Sequence, residues 1–208
     1  MPEKPHPKPL ALDQRLAKYA ARGLARLLVT PNMVTGASIL VGALAAGLFA
    51  QGGAVAYWGA GVFVVVVWMD HVDGELARQT GMTSEFGHYF DHAAAMLNYV
   101  MMFVGAGFGL DEGILGISGF LLGTGAGIGV AAIMCLRIYA EERISRSFVK
   151  QTVCAGFEIE DVLYIVAPIT WVGGLDYFIL LAGIGAPLFL LYVIWDCRRE
   201  MRHQGNNN

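Results

Sequence analysis

Six apolar stretches, at roughly 33–51, 54–70, 91–109, 113–136, 162–174 and 175–195, approach or exceed the length needed to cross a bilayer. The fifth is short, and the facing ends of the second and third carry carboxylates. The chain has 208 residues, 56% of them hydrophobic, with 27 glycines and a mean hydropathy of +0.54. That is too apolar for an ordinary soluble domain. The fold class expected is therefore an all-α integral membrane protein, with six transmembrane helices preceded by an N-terminal amphipathic interfacial helix.

The flanks support one membrane unit. Residues 1–10 are proline-rich and charged, which predicts a disordered arm and argues against a cleavable signal peptide. Residues 11–30 place Arg15, Lys18, Arg22 and Arg26 on one helical face and Leu12, Leu16, Tyr19, Gly23 and Leu27 on another. This pattern predicts an interfacial helix whose basic stripe lies against anionic headgroups. Thr30-Pro31-Asn32 then breaks the chain and restarts it, with Pro31 suited to a first helical turn. The membrane domain is expected over 31–200, and a disordered tail over 201–208.

All 14 Lys and Arg fall on one side of a six-span arrangement: before the first span, at Arg78, between Arg137 and Lys150, or after Trp195. The opposite connections, near 51–53, 110–112 and 173–176, contain none. The positive-inside rule then puts both termini in the cytoplasm, in a multi-pass protein of the cell (inner or plasma) membrane. Cys135, Cys154 and Cys197 form an odd set without metal spacing, so neither a disulfide framework nor a zinc site is expected. Gly119, Gly123 and Gly127, with Gly125 and Gly129 on the next row, predict a close helix contact, either within the chain or between two copies.

The chemistry sits between spans two and three. Asp70 and Asp73 are one helical turn apart, and a tight turn through Thr83 and Ser84 brings Asp91 back towards them. Carboxylates attached to apolar segments mark a site by default. Three of them with oxygen-only chemistry suit Mg2+ or Mn2+. Gly74, Ala77 and Gly87 leave room for a phosphate-bearing ligand to approach the backbone, and Arg78 offers a planar charge for phosphate. The aspartates would repel one another strongly unless cations or protons compensate them.

The run Asp70-x2-Asp73-Gly74-x2-Ala77-Arg78-x8-Gly87-x3-Asp91 resembles the signature of the CDP-alcohol phosphotransferase (CDP-alcohol phosphatidyltransferase) family, at every fixed position except the last aspartate, which is Ala95. A Pro31-Asn32-x-x-Thr35 start to the first span is also similar to that family. The resemblance implies that Asp70, Asp73 and Asp91 hold a pair of divalent cations against the pyrophosphate of a CDP-linked donor. Asn32, Thr35, Asp73, Gly74, Ala77, Arg78 and Gly87 would line the nucleotide pocket. It implies attack by an alcohol hydroxyl on the phosphorus distal to cytidine with release of CMP, in an enzyme that is typically a homodimer and belongs to phospholipid biosynthesis.

In the family the final aspartate serves as general base and metal ligand, and Ala95 can do neither. Loss of a general base costs about 10² to 10⁴ in rate. The chain is therefore expected to be impaired, either by a deliberate Asp-to-Ala change that traps substrate, which the intact pocket favours, or as a natural relative that binds without turnover. Asp91 is the remaining catalytic carboxylate. An acceptor pocket is expected around His92, Arg137, Glu158 and Asp161.

The short chain places CDP-diacylglycerol first as donor. Phe90-Asp91-His92, similar to choline and ethanolamine phosphotransferases, keeps a CDP-amino alcohol with diacylglycerol as the alternative. A non-catalytic CDP-lipid binding protein and a divalent-cation transporter are the competing classes, and no nucleic-acid partner is expected. Transport would require polar residues deep in several spans, whereas the carboxylates cluster at span ends.

Overall fold

The structure, a computed structural model, describes residues 12–110, 114–143 and 164–205. Its elements are helices throughout: α1 (Leu12–Arg26), α2 (Pro31–Ala50), α3 (Val55–Thr80), α4 (Glu85–Phe108), α5 (Gly119–Arg143), α6 (Val166–Trp171) and α7 (Leu175–Gly205). The 1–10 arm and the acceptor residues Glu158 and Asp161 lie outside the described residues, as does Cys154.

Local signals set the ends that matter for the site. Thr30, in extended conformation, caps α2 by accepting from the Met33 N–H at 3.3 Å, and Pro31 occupies the first turn, where its missing donor costs nothing. Gly81 stops α3 at φ 69°, a left-handed geometry that glycine adopts freely. Ser84 then caps α4, its Oγ accepting from the Gly87 N–H at 3.0 Å. The α3–α4 connection is thus a short turn.

Four helices are long and apolar enough to cross a membrane among the described residues: Pro31–Ala50, Val55–Thr80, Gly119–Tyr139 and Leu175–Arg199. The other two of the six expected spans are not among them. Helix α4 has the length, with 24 residues, but its first turns carry Glu85, His88, Asp91 and His92. As described, α6 is a six-residue helix. At the C-terminus, α7 continues through Gly205, past the start expected for a disordered tail at 201.

Helix α2 is bracketed by α3 and α4, α5 lies between α4 and α7, and α6 rests on α3. Phe49, Phe63, Met102, Val166 and Ile179 form the centre of the apolar core. The rows of small residues on α5 are consumed inside the chain. Gly123 lies against the Phe103 carbonyl and Gly107 of α4, while Gly129 meets Ala186 and Pro187 of α7. These glycines therefore explain the intrachain packing and lend no support to a seam between copies.

Helix α1 docks on α3 through its alanines. Ala17 and Ala21 are buried with Val34, Val72 and Leu76, while Leu16, Tyr19 and Leu27 face outward. Small side chains permit the close approach that the larger apolar stripe would prevent. Polar contacts add to it: His71 Nε2 lies 3.7 Å from Asp13 Oδ2, and Gln79 donates to the Lys18 carbonyl at 3.3 Å.

Candidate active site

The N-terminal ends of α2 and α4 and the C-terminal half of α3 enclose a cleft of about 250 Å³. Helix α2 lends Pro31, Asn32 and Thr35; α3 lends Asp73, Gly74, Ala77 and Arg78. The turn and α4 complete it with Met82, Thr83, Ser84, Gly87, His88 and Asp91. Every residue expected in the nucleotide pocket therefore lines one concavity. A structural reason is that α3 runs unbroken for ten residues beyond Asp70, so Asp73, Ala77 and Arg78 project from one rigid rod.

Asp73 is the buried centre of this cleft. Its Oδ2 accepts from Thr35 Oγ1 at 2.6 Å across the α2–α3 contact, and the residue is only 3% exposed. Its Oδ1 is buried and has no hydrogen-bond partner among the described residues. A carboxylate held on one oxygen and unsatisfied on the other, beside an open cleft, is costly unless a ligand completes it.

Small residues give that ligand access. A Cβ on Gly87 would stand 3.2 Å from Asn32 Oδ1 and 3.1 Å from Ser84 Oγ, so the glycine lets the starts of α2 and α4 come together. A Cβ on Gly74 would stand 3.5 Å from an Arg78 guanidinium nitrogen. Arg78 itself is bound to Glu75, with Nη2 at 3.0 Å and Nε at 3.2 Å from the same oxygen. The guanidinium is exposed although the Glu75 side chain is mostly covered, and water screens a pair open on one side, so the guanidinium can exchange Glu75 for a phosphate at modest cost.

The expected aspartate trio is only partly assembled. Asp73 and Asp91 line the cleft, but Asp70 does not. Three residues along a helix correspond to about 4.5 Å of axial rise and an offset of about 60°, which sets Asp70 deeper and to one side of Asp73. Among the described residues, no three His, Cys, Asp or Glu side chains converge as a metal cage. The donor set still fits a hard divalent cation. Mg2+ and its analogues commonly take one or two protein carboxylates and complete their shell with water and substrate phosphate, and Asp73 and Asp91 are two carboxylates in one lining.

Of the residues expected at the acceptor, His92 and Arg137 are described, and both lie away from this cleft. His92 is absent from the cleft lining; its Nδ1 lies 3.0 Å from the His88 carbonyl and its ring 4.4 Å from that of His88. The offset of about 100° between adjacent helical residues points it away from the direction of Asp91. Arg137 is half-buried on α5, outside the cleft lining. Ala95 is half-buried against the apolar core, one turn after Asp91 on α4.

Several residues were not anticipated in the pocket. Pro31, Met82 and His88 line it, and Thr83 and Ser84, expected only to make the turn, line it as well. Ser38 and Asn98 are buried behind Thr35. Their only signal in the sequence is polarity inside an otherwise apolar run.

Comparison with known proteins extends this picture. The family model for CDP-alcohol phosphatidyltransferase matches residues 28–195. Among solved structures, the chain is similar to Mycobacterium tuberculosis phosphatidylinositol phosphate synthase (PgsA1) with CDP-DAG bound, at 21% identity and a TM-score of 0.63, covering 87% of this chain and 94% of that one. It is also similar to the same synthase in complex with manganese and citrate, at 21% identity and a TM-score of 0.57, covering 86% and 88%. No curated protein matches it in sequence.

Proposed function

Since the chain belongs to the CDP-alcohol phosphatidyltransferase family, we propose that its cleft binds the cytidine diphosphate of CDP-diacylglycerol and is built to transfer the phosphatidyl group to an alcohol. The observation that carries this reading is the convergence of Asn32, Thr35, Asp73, Gly74, Arg78 and Gly87 on one cleft, with the Asp73 carboxylate held there by Thr35. The similar synthase was solved with CDP-DAG and with manganese, which supports a diphosphate donor and a divalent cation here.

Asp73, fixed by Thr35, and Asp91 across the turn would hold the cation, with Asp70 as the further carboxylate of the signature. Mg2+ or Mn2+, as two ions in the fullest form of the proposal, would neutralise the diphosphate and the departing CMP oxygen. Arg78, released from Glu75, would bind phosphate from the open side of the cleft. Gly74 and Gly87 admit the nucleotide against the backbone.

In the transfer, the acceptor hydroxyl oxygen bonds to the phosphorus that bears the diacylglycerol. The bond from that phosphorus to the CMP oxygen breaks, CMP keeps the electron pair, and the hydroxyl proton passes to a base. At the position where the family signature places that base, this chain has Ala95, which has no group to take the proton. The protein therefore binds donor and transfers poorly.

Orientation follows the charges. By the positive-inside rule, Arg78 and the basic α1 at the cleft end would put the cleft and both termini on the cytoplasmic face, with the exposed Leu16 and Tyr19 of α1, and Leu27 just after it, in the headgroup layer. Assembly as a homodimer is part of the same reading.

The test is CMP release by the purified protein as it stands and as Ala95→Asp, with CDP-diacylglycerol, Mg2+ or Mn2+, and a panel of polyol phosphates, inositol, serine and amino alcohols. Turnover at least about 100-fold faster in the aspartate form is expected. Cytidine-nucleotide binding without CMP release by either form would defeat the transferase reading and leave a binding protein. A CDP-amino alcohol with diacylglycerol serves as the second donor.

A further inference from the structure

A line of buried polar groups runs from the cleft into the apolar interior. Thr35 Oγ1 donates to Asp73 Oδ2 at 2.6 Å, Ser38 Oγ donates to the Thr35 carbonyl at 2.7 Å, and Asn98 Nδ2 donates to Ser38 Oγ at 3.2 Å. All four residues are 3–4% exposed. They join three helices: Asp73 from α3, Thr35 and Ser38 from α2, and Asn98 from α4.

Burying a carboxamide here is expensive, and its Oδ1 has no hydrogen-bond partner among the described residues. The fold nevertheless makes room for it. Gly42 of α2 faces Asn98, and a Cβ at Gly42 would overlap the Asn98 Oδ1. An alanine at 42 with a smaller apolar residue at 98 would fill the same space without a buried polar group. What the observed pair adds is a directional link between α4 and the second turn of α2.

We propose that Asn98 is a positioning residue of the cleft. Through Ser38 it fixes the rotation and axial register of the first turns of α2 relative to α4. Thr35 then stays on Asp73 Oδ2 and holds that carboxylate at the cleft wall, while Asn32 keeps its place beside Gly87. The proposal rests on reading the cleft as a metal and cytidine-nucleotide site. Groups hydrogen-bonded to a ligating carboxylate, as Thr35 is to Asp73, orient it and commonly affect metal affinity by about 10- to 100-fold; Asn98 acts through Ser38 and Thr35, so the lower end of that range is expected.

The experiment uses the full chain in detergent, with Mn2+ binding followed by electron paramagnetic resonance, alone and with CMP, and thermal unfolding measured alongside. Asn98→Leu and Ser38→Ala are each expected to weaken Mn2+ binding by about tenfold. The double variant is expected to lose no more than either single one, because both act through one link. A residue that served packing alone would lower the unfolding temperature and leave the affinity of the folded protein unchanged, and that result overturns the proposal. Additive losses in the double variant overturn it too.

Should Asn98→Leu fail to fold, Ser38→Ala still decides, since unchanged affinity there breaks the link. If the parent chain binds neither Mn2+ nor CMP, the nucleotide-site reading falls and takes this proposal with it. If the parent binds and the variants match it, only this proposal falls.

Discussion

The two ends of α4 are held by opposite means. From its N-terminus to its middle α4 meets α2 through polar groups, with Gly87 beside Asn32 and Asn98 bonded to Ser38. Towards its C-terminal end it meets α5 backbone to backbone, with Gly107 against the Gly119 carbonyl and Gly123 against the Phe103 carbonyl. The first region keeps a buried carboxylate oxygen unsatisfied; the second leaves no room even for a methyl group. On the proposed reading, stability is expected to rest most on the glycine contact, and binding on the region where polar groups are left incomplete.

The hardest way to break this contrast is to add bulk at the glycine contact. Gly123→Val places a side chain where α4 backbone already sits, and overpacking of this kind costs about 3 kcal/mol. The expected outcome is a large loss of unfolding temperature and of monodisperse protein, with unchanged Mn2+ affinity in the fraction that folds. A loss of affinity equal to the loss of stability would show that the two regions are not separate.

Thr35→Val acts at the other end. It removes the side-chain donor to Asp73 Oδ2 and leaves a buried carboxylate short of a hydrogen bond, for a loss of about 2 kcal/mol in unfolding free energy. Mn2+ affinity should fall as well. Stability lost with affinity intact would mean that Thr35 supports the fold and not the cleft.

A smaller effect is expected at the α4 cap. Ser84→Ala removes the acceptor for the Gly87 N–H and should cost about 1 kcal/mol, read by chemical denaturation. Smallest of all is Glu75→Gln, which loosens the pair with Arg78 and should change stability by about 0.5 kcal/mol or less. It should leave or improve cytidine-nucleotide binding, because Arg78 no longer has to leave a charged partner. Weaker nucleotide binding in that variant would show that Glu75 holds Arg78 in its working position.

Much of this architecture is legible residue by residue. Thr30-Pro31 announces the start of α2, and the spacing from Asp73 to Gly87 announces a helix, a turn and a second helix around one cleft. Other features depend on neighbours distant in sequence. Asp70 and Asp73 look equivalent at one-turn spacing, yet only Asp73 meets Thr35 from another helix and lines the cleft. The outward stripe of α1 and its buried alanines follow from how closely α1 approaches α3, which helical periodicity alone does not specify. The α5 glycines showed that a close contact exists without saying with what.

The amino-acid order alone thus determined the helical class, the grouping of carboxylates and small residues around the α3–α4 turn, and the presence of alanine at 95, where the resembled signature has an aspartate. These are local properties, set by hydropathy, caps, turn chemistry and side-chain identity. The tertiary structure decided which carboxylate is buried and half satisfied, that Ser38 and Asn98 stand behind it, and that the glycines bind α5 to α4 and α7. Those outcomes depend on the distance and rotation between helices far apart in the chain, and only the packed bundle sets them.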